Sequence, residues 1–367
     1  MNDSLAAALV HLRALVACDT QNPPRAIGTD GIFDYLRSVL PDFRIEVIDH
    51  GAGAVSMLAV RGTPDLLFNF HLDTVPRSPA WTHDPHDLHV TEHRAIGLGA
   101  CDIKGAAACM LAAIARTKGD VALLFSSDEE ANDARCIAAF LASDHGFKRV
   151  VVAEPTEAHA VLAHRGICSV LMRFQGNTGH ASGERALHDS ALHQAIRWGQ
   201  RALDFVEAQQ HARFGGLSGL RFNIGRIEGG IKANMIAPSA ELRFGFRPLP
   251  SQGIDELLAV FRDFADASGL IQFDALFRGP TLPAGDIAHA EARRLEARDL
   301  ADELELPIGN AVDFWTEASL FSAAGLTALV YGPGNIAQAH TADEWVALDQ
   351  LQQVTESYQR IIDHGRA

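Results

Sequence analysis

Cysteine, basic residues and long apolar runs are all scarce in this chain, and each shortage removes a class of protein. The five cysteines, Cys18, Cys101, Cys109, Cys136 and Cys168, are scattered through 367 residues without a Cys-x-x-Cys pair. An odd, dispersed set argues for reduced thiols rather than a disulfide framework. Cys109 falls in an apolar helical stretch and reads as core packing. Cys101 adjoins a candidate functional residue, but no histidine or base beside it completes a nucleophile motif. Lysine and arginine number 31 against 46 acidic residues, a formal charge of −15. That excess repels phosphate backbones and anionic membranes, which excludes nucleic acid as a partner. The longest strongly apolar run, Gly105–Ala115, is far shorter than the roughly 20 residues a spanning helix needs. Met1-Asn2-Asp3-Ser4 lacks the basic segment and apolar core of a secretory signal. The expectation is a cytoplasmic protein with no membrane partner.

Apolar residues make up 47% and charged residues 21%, the balance of a globular protein with ample core. The length exceeds the usual single-core size, so two domains are expected. There is no internal repeat of fixed period. An amphipathic pattern over Leu5–Ala17 predicts an opening helix, Gln21-Asn22-Pro23-Pro24 a loop, and Gly31–Val39 a second helix. Three runs, Leu66–Phe70, Val121–Phe125 and Val150–Ala153, read as buried strands. They alternate with helical stretches at Gly105–Arg116 and Arg135–Ala142, the signature of βαβ units and a mainly parallel sheet. After His164-Arg165-Gly166 the texture changes. Strands are expected at Ile167–Phe174, Leu220–Ile227, Ala240–Phe246 and Ile271–Phe277, with helices at Ala186–His211 and Ile254–Ala267. The order βαββαβ describes a separate α+β module. A helix at Ala288–Leu304, a strand at Ala328–Tyr331 and a closing helix at Leu348–His364 then return to the first sheet. The expected organisation is an α/β domain of residues 1–165 and 280–367, with an α+β domain of residues 166–279 inserted in it.

Each of the three buried strands runs out at acidic or imidazole side chains: His71, then Glu129 and Glu130, then Glu154. Ligands of open α/β sheets bind outside the carboxyl ends of the strands, so these groups stand where chemistry would occur. Taken singly, each has a bland alternative. His71 resembles any strand-end histidine, although Asp73 two residues on could fix the tautomer of a ligating imidazole. Asp102, in Gly97-Leu98-Gly99-Ala100-Cys101-Asp102-Ile103-Lys104-Gly105, could be a helix N-cap. Its neighbouring glycines could suggest phosphate binding, but neither a Walker pattern nor a true Gly-x-Gly-x-x-Gly is present. Asp128-Glu129-Glu130 could be a solvated acidic turn, since adjacent carboxylates repel unless hydrated or neutralised by cations. With Glu154-Pro155 and with His340, which follows Gly332-Pro333-Gly334, they form an oxygen and imidazole environment suited to zinc or cobalt. The concurrence points to a metal-dependent hydrolase.

In order along nearly the whole chain, the motifs are His71-x-Asp73-x-x-Pro76, Gly97-Leu98-Gly99 with Asp102-x-Lys104-Gly105, Asp128-Glu129-Glu130, Glu154-Pro155-Thr156, Gly179-His180-Ala181-Ser182, Phe246-Arg247-Pro248-Leu249-Pro250 and Gln338-Ala339-His340. This set resembles the M20 family of metallohydrolases, and within it the acetylornithine deacetylase group. The resemblance implies a zinc-hydrolase-type catalytic domain, a two-metal site with a bridging carboxylate, and an inserted lid or dimerisation domain. It implies that His71, Asp102 and Glu154 hold one Zn(2+) or Co(2+), and that Asp102, Glu130 and His340 hold the other. Glu129 would be the general base, and Asp73 would orient His71. His180 would reach the active site of the other subunit of a homodimer and stabilise the oxyanion. Asn234 and Arg247 would recognise the substrate carboxylate, which an arginine fork suits. On the residues alone, Arg247 reads as a surface strand end and His180 as a turn histidine. Gly229-Gly230 would serve as a hinge or simply as a turn.

Ile231 and Lys232 depart from the small or polar residues expected of the acetylornithine enzymes. A lysine near the substrate disfavours a cationic side chain and tolerates a neutral ureido group. The expected activity is therefore hydrolysis of a small N-acetyl amino acid in arginine biosynthesis, with N-acetyl-L-citrulline ahead of N-acetylornithine. Alternatives are a succinyl-diaminopimelate desuccinylase, an aminoacylase, a dipeptidase, or a non-catalytic scaffold of the same fold.

Overall fold

Strands built on continuous apolar runs must be covered on both faces, and two such segments, Leu66–His71 and Val121–Ser126, are buried along their whole length. In the computed structural model, which describes residues 3–131, 133–266 and 269–364, they lie at the centre of a six-stranded sheet. Its order is Arg44–Asp49, Val55–Arg61, Val121–Ser126, Leu66–His71, Arg149–Val152, Thr327–Val330. The last four strands are mutually parallel. Val55–Arg61 runs antiparallel to both of its neighbours, Arg44–Asp49 and Val121–Ser126, so the sheet is mixed, with its parallel part where the sequence places it.

Arg44–Asp49 and Val55–Arg61 are absent from the sequence reading. The first is an edge strand of alternating charged and apolar residues, mostly exposed, and lacks the continuous apolar run that marks the centre.

Helix Lys104–Ile114 is buried at every position. Its run of alanines lets neighbours approach closely. It packs with the opening helix Asp3–Val16 and the closing helix Leu348–His364, which turns Leu351, Val354, Tyr358, Ile361 and Ile362 inward at helical spacing. Each such large side chain contributes about 1.5–3 kcal/mol on burial. Among the described residues no helix is long and apolar enough to cross a membrane.

The chain divides into two compact units. One comprises Met1–Leu162, Ala292–Gly309 and Thr316–Ala367; the other comprises Ala163–Glu291 and Asn310–Trp315. The second unit holds a four-stranded antiparallel sheet in the order Arg221–Gly229, Ser239–Arg247, Ile167–Gln175, Leu270–Gly279. Helices Ala191–Ala208 and Ile254–Asp263 pack on it through Trp198, Phe244, Phe246 and Phe261. The helical pattern expected over Ala186–His211 is interrupted. A turn at Ala186–Asp189 gives way to Ala191–Ala208 at Ser190, whose side chain accepts the His193 N–H as an N-cap. A short hairpin, Arg213–Phe214 with Leu217–Ser218, follows and has no counterpart in the sequence reading. Helix Ile254–Asp263 stops short of the expected end at Ala267, which lies outside the described residues.

Candidate metal centre

Parallel pairing in one register brings the strand ends to one edge. His71 ends its strand opposite Ser126, after which the chain enters the turn bearing Asp128, Glu129 and Glu130. Arg149–Val152 ends two residues before Glu154. Asp102 arrives from the loop before helix Lys104–Ile114, and His340 from the segment following the turn Ile336–Gln338.

Asp102 is not an N-cap. That position belongs to Ile103, and no side chain caps the helix. Instead the two Asp102 oxygens face different imidazoles: Oδ1 is 3.0 Å from His71 Nε2, and Oδ2 is 3.4 Å from His340 Nε2. Glu154 Oε1 lies 4.0 Å from His71 Nε2, and Glu130 Oε1 lies 2.9 Å from His340 Nε2. Two sets of three result, His71–Asp102–Glu154 and Asp102–Glu130–His340, with the ligand atoms of each within 4.8 Å of one another. The first set is buried. The second opens outward, the His340 side chain being 52% exposed. Glu129 belongs to neither set.

The surroundings orient these groups. Both the main-chain carbonyl of Asp73, at 3.1 Å, and its Oδ1, at 3.6 Å, face His71 Nδ1, while Oδ2 accepts the Glu130 N–H at 2.9 Å. A Cβ on Gly105 would meet the Ala100 carbonyl at 2.3 Å, so the turn that delivers Asp102 closes only with glycine there.

Two buried acids have no local signal that separates them from solvated ones, and the sequence reading passes over both. Glu344, in Asp343-Glu344-Trp345, accepts main-chain N–H groups from the Asp102 loop. Glu317, in Trp315-Thr316-Glu317-Ala318, accepts from Ser126 Oγ at 3.3 Å. Lys104 is fully buried, donates to the Cys18 carbonyl at 3.0 Å, and is brought down to about 8 by burial. Cys101 and Cys109 are buried thiols, each pushed up by burial.

Burial dominates the electrostatics. It pushes the carboxyls of Glu129 and Glu154 well above the usual range against the pull of His71, and raises Glu317 to about 8 and Glu344 to about 7. For Asp102 the burial effect is outweighed by hydrogen bonds to His340 and His71, which hold it below the ordinary carboxylate range. The same bonds act on the imidazoles. His71 stays well above its usual value despite burial, through Asp102 and Asp73, and His340 rises to about 11 through Asp102 and Glu130. Four carboxylates converge on two imidazoles, a surplus of negative charge that divalent cations would offset. Imidazole with two carboxylates is a donor set that zinc and its neighbours accept. The residues fit a metal.

His180, Lys232, Asn234 and Arg247 lie in the second unit. His180 is exposed, its Nδ1 2.7 Å from Ser182 Oγ. Its loop is tied to that of Lys232 and Asn234, both exposed, by the Ala181 N–H donating to the Asn234 carbonyl at 3.1 Å. Arg247 ends its strand half-buried, with Nη1 enclosed and lacking a partner, and burial draws its guanidinium below the usual value. Beneath it the fully buried Arg165 donates to the carbonyls of Ser218, Gly219 and Arg247 and to Asp313, so the strand end is braced.

The sequence profile described as peptidase family M20/M25/M40 matches residues 67–364. The chain is 68% identical over 364 residues to N-acetyl-L-citrulline deacetylase of Xanthomonas campestris pv. campestris, covering 99% of each. It is 30% identical over 324 residues to acetylornithine deacetylase of Shigella sonnei, covering 83% of this chain and 81% of that one. The crystal structure of aminopeptidase PepT from Bacillus cereus shares the fold, with a TM-score of 0.73 and 18% identity over 99% of each chain.

Proposed function

The chain belongs to peptidase family M20/M25/M40, and from that premise we propose that it hydrolyses N-acetyl-L-citrulline to acetate and L-citrulline, in the cytoplasm, as a step of arginine biosynthesis. The observation that carries this reading is the 68% identity, end to end, with a deacetylase of that substrate. The geometry supports the chemistry. His71, Asp102 and Glu154 would hold one Zn(2+) or Co(2+), and Asp102, Glu130 and His340 the other. Bound there, the cations polarise the acyl oxygen and lower the pKa of water toward about 7.

The remaining roles fall to this chain's own groups. Glu129, outside both ligand sets, takes a proton from the attacking water and delivers it to the leaving amine nitrogen. Burial raises its proton affinity, as befits a carboxylate that must first accept and then hold a proton. Asp73 orients His71 through Nδ1. His180 donates to the developing oxyanion, a role that a fixed donor performs at low reorganisation cost. Arg247, with an unpartnered Nη1, and Asn234 receive the substrate carboxylate. Lys232 selects the neutral ureido side chain over a cationic one. Residues 166–279 would act as lid and dimerisation domain, giving a homodimer of twice 39.5 kDa in sedimentation.

The 30% identity with acetylornithine deacetylase favours N-acetylornithine as the second reading. Steady-state kcat/KM on N-acetyl-L-citrulline, N-acetylornithine and succinyl-diaminopimelate separates the possibilities. The highest value is expected for N-acetyl-L-citrulline, and a preference for N-acetylornithine transfers the assignment to that substrate.

A further inference from the structure

We infer that Glu344 is a positioning residue for the metal site, keeping Asp102 and His340 at working separation by gripping the backbone of one ligand's loop from the base of the other's. The inference rests on the ligand sets proposed above. Glu344 is 2% exposed. One oxygen accepts the N–H of Gly99 at 3.0 Å, and the other accepts those of Cys101 and Asp102, both at 2.9 Å. Its own carbonyl accepts the Gly97 N–H at 3.0 Å, and just beyond it Trp345–Ala347 pairs with Arg94–Ile96. The loop that presents Asp102 therefore closes around one carboxyl group, whose two oxygens accept three of its main-chain N–H groups.

His340 stands four residues before this anchor. Its φ of 60° is unusual for a residue other than glycine, and its side chain is half exposed. His71, in contrast, ends a buried strand. The place of His340 relative to Asp102 thus depends on the segment that Glu344 ties down. Asp102 retains its bond to His71 and the helix that follows it whether or not Glu344 holds. Losing the anchor should accordingly loosen the His340 set more than the His71 set.

Glu344→Gln isolates the effect, because it keeps the shape but turns one acceptor into an NH2 donor facing main-chain donors. Metal-free wild type and variant are titrated with Co(2+), followed by calorimetry and visible absorption, with circular dichroism to monitor folding. Wild type should bind two ions. In the variant the second dissociation constant should weaken by about 10- to 100-fold, the usual effect of groups that orient metal ligands, and by more than the first. A purely structural role would lower Tm and leave both constants in place. Wild type that binds fewer than two ions overturns the ligand sets themselves. Two ions in wild type with an unchanged second constant in E344Q overturns the role of Glu344 alone. If E344Q does not fold, E344D, with both oxygens on a shorter stem, is titrated in its place, and an unchanged second constant there is equally decisive. Amide exchange in wild type needs no variant: the Cys101 and Asp102 N–H groups should be strongly protected, and free exchange refutes the grip.

Discussion

A carboxyl group buried beside other carboxyls relieves its energy by keeping a proton or by facing a cation, and both outcomes occur around this sheet edge. Glu129 keeps a raised proton affinity through burial and lies outside the ligand sets. Glu129→Gln should leave Co(2+) or Zn(2+) stoichiometry intact while lowering kcat by about 10²- to 10⁴-fold, the range of a general base; appreciable residual turnover removes Glu129 from that role. Glu317 is raised by burial from 4.5 to about 8. The folded metal-free chain therefore holds this proton more tightly than the unfolded one, and its stability should fall as pH rises from about 4.5 through about 8. The difference in urea midpoint between wild type and Glu317→Gln over that window measures the effect, and a flat difference contradicts it. At this scale His71, Glu129, Glu130 and Glu154 were legible, because each follows an apolar run at a strand end. Glu317 and Glu344 were not, since an isolated acid carries no mark of its burial until the fold encloses it.

Elements buried at every position were legible, whereas the largely buried strand Val55–Arg61, interrupted by Ser56 and ending at Arg61, was not. Leu66–His71, Val121–Ser126 and Lys104–Ile114 are buried throughout, so their apolar runs show in the sequence. The edge strand Arg44–Asp49 needs only one face covered and did not show. The break at Ser190 was hidden because the apolar period continues across it while a single capping hydroxyl ends one turn and starts the next. In the second unit, helix Ile254–Asp263 is anchored by Phe261, fully buried and within 6.2 Å, centroid to centroid, of Trp198, Phe244 and Phe246. Its carbonyl also accepts from Trp198 Nε1 at 2.7 Å. Phe261→Ala should cost about 3–5 kcal/mol, a loss of transfer energy together with an unfilled cavity. Denaturant unfolding monitored by Trp fluorescence reads it, and a loss under 1 kcal/mol would mean that the site collapses around the gap.

For the whole molecule, the ligand sets join five separate stretches of chain, around His71, Asp102, Glu130, Glu154 and His340, so bound metal should stabilise the fold as well as equip the site. Chelation should abolish hydrolysis and lower Tm. By mass action each site contributes about 2.7 kcal/mol when free metal is a hundredfold above its dissociation constant. Zn(2+) or Co(2+) added back should restore both properties, and a Tm indifferent to metal would contradict the coupling. The sequence by itself determined which strands are central and which side chains end them, because periodicity and buried runs are local properties of the chain. Only the tertiary structure decided that Ile103 and not Asp102 stands at the N-cap of the helix, and that a distant carboxyl group closes around the Asp102 loop. Those arrangements depend on contacts between segments far apart in the chain, and no local pattern encodes them.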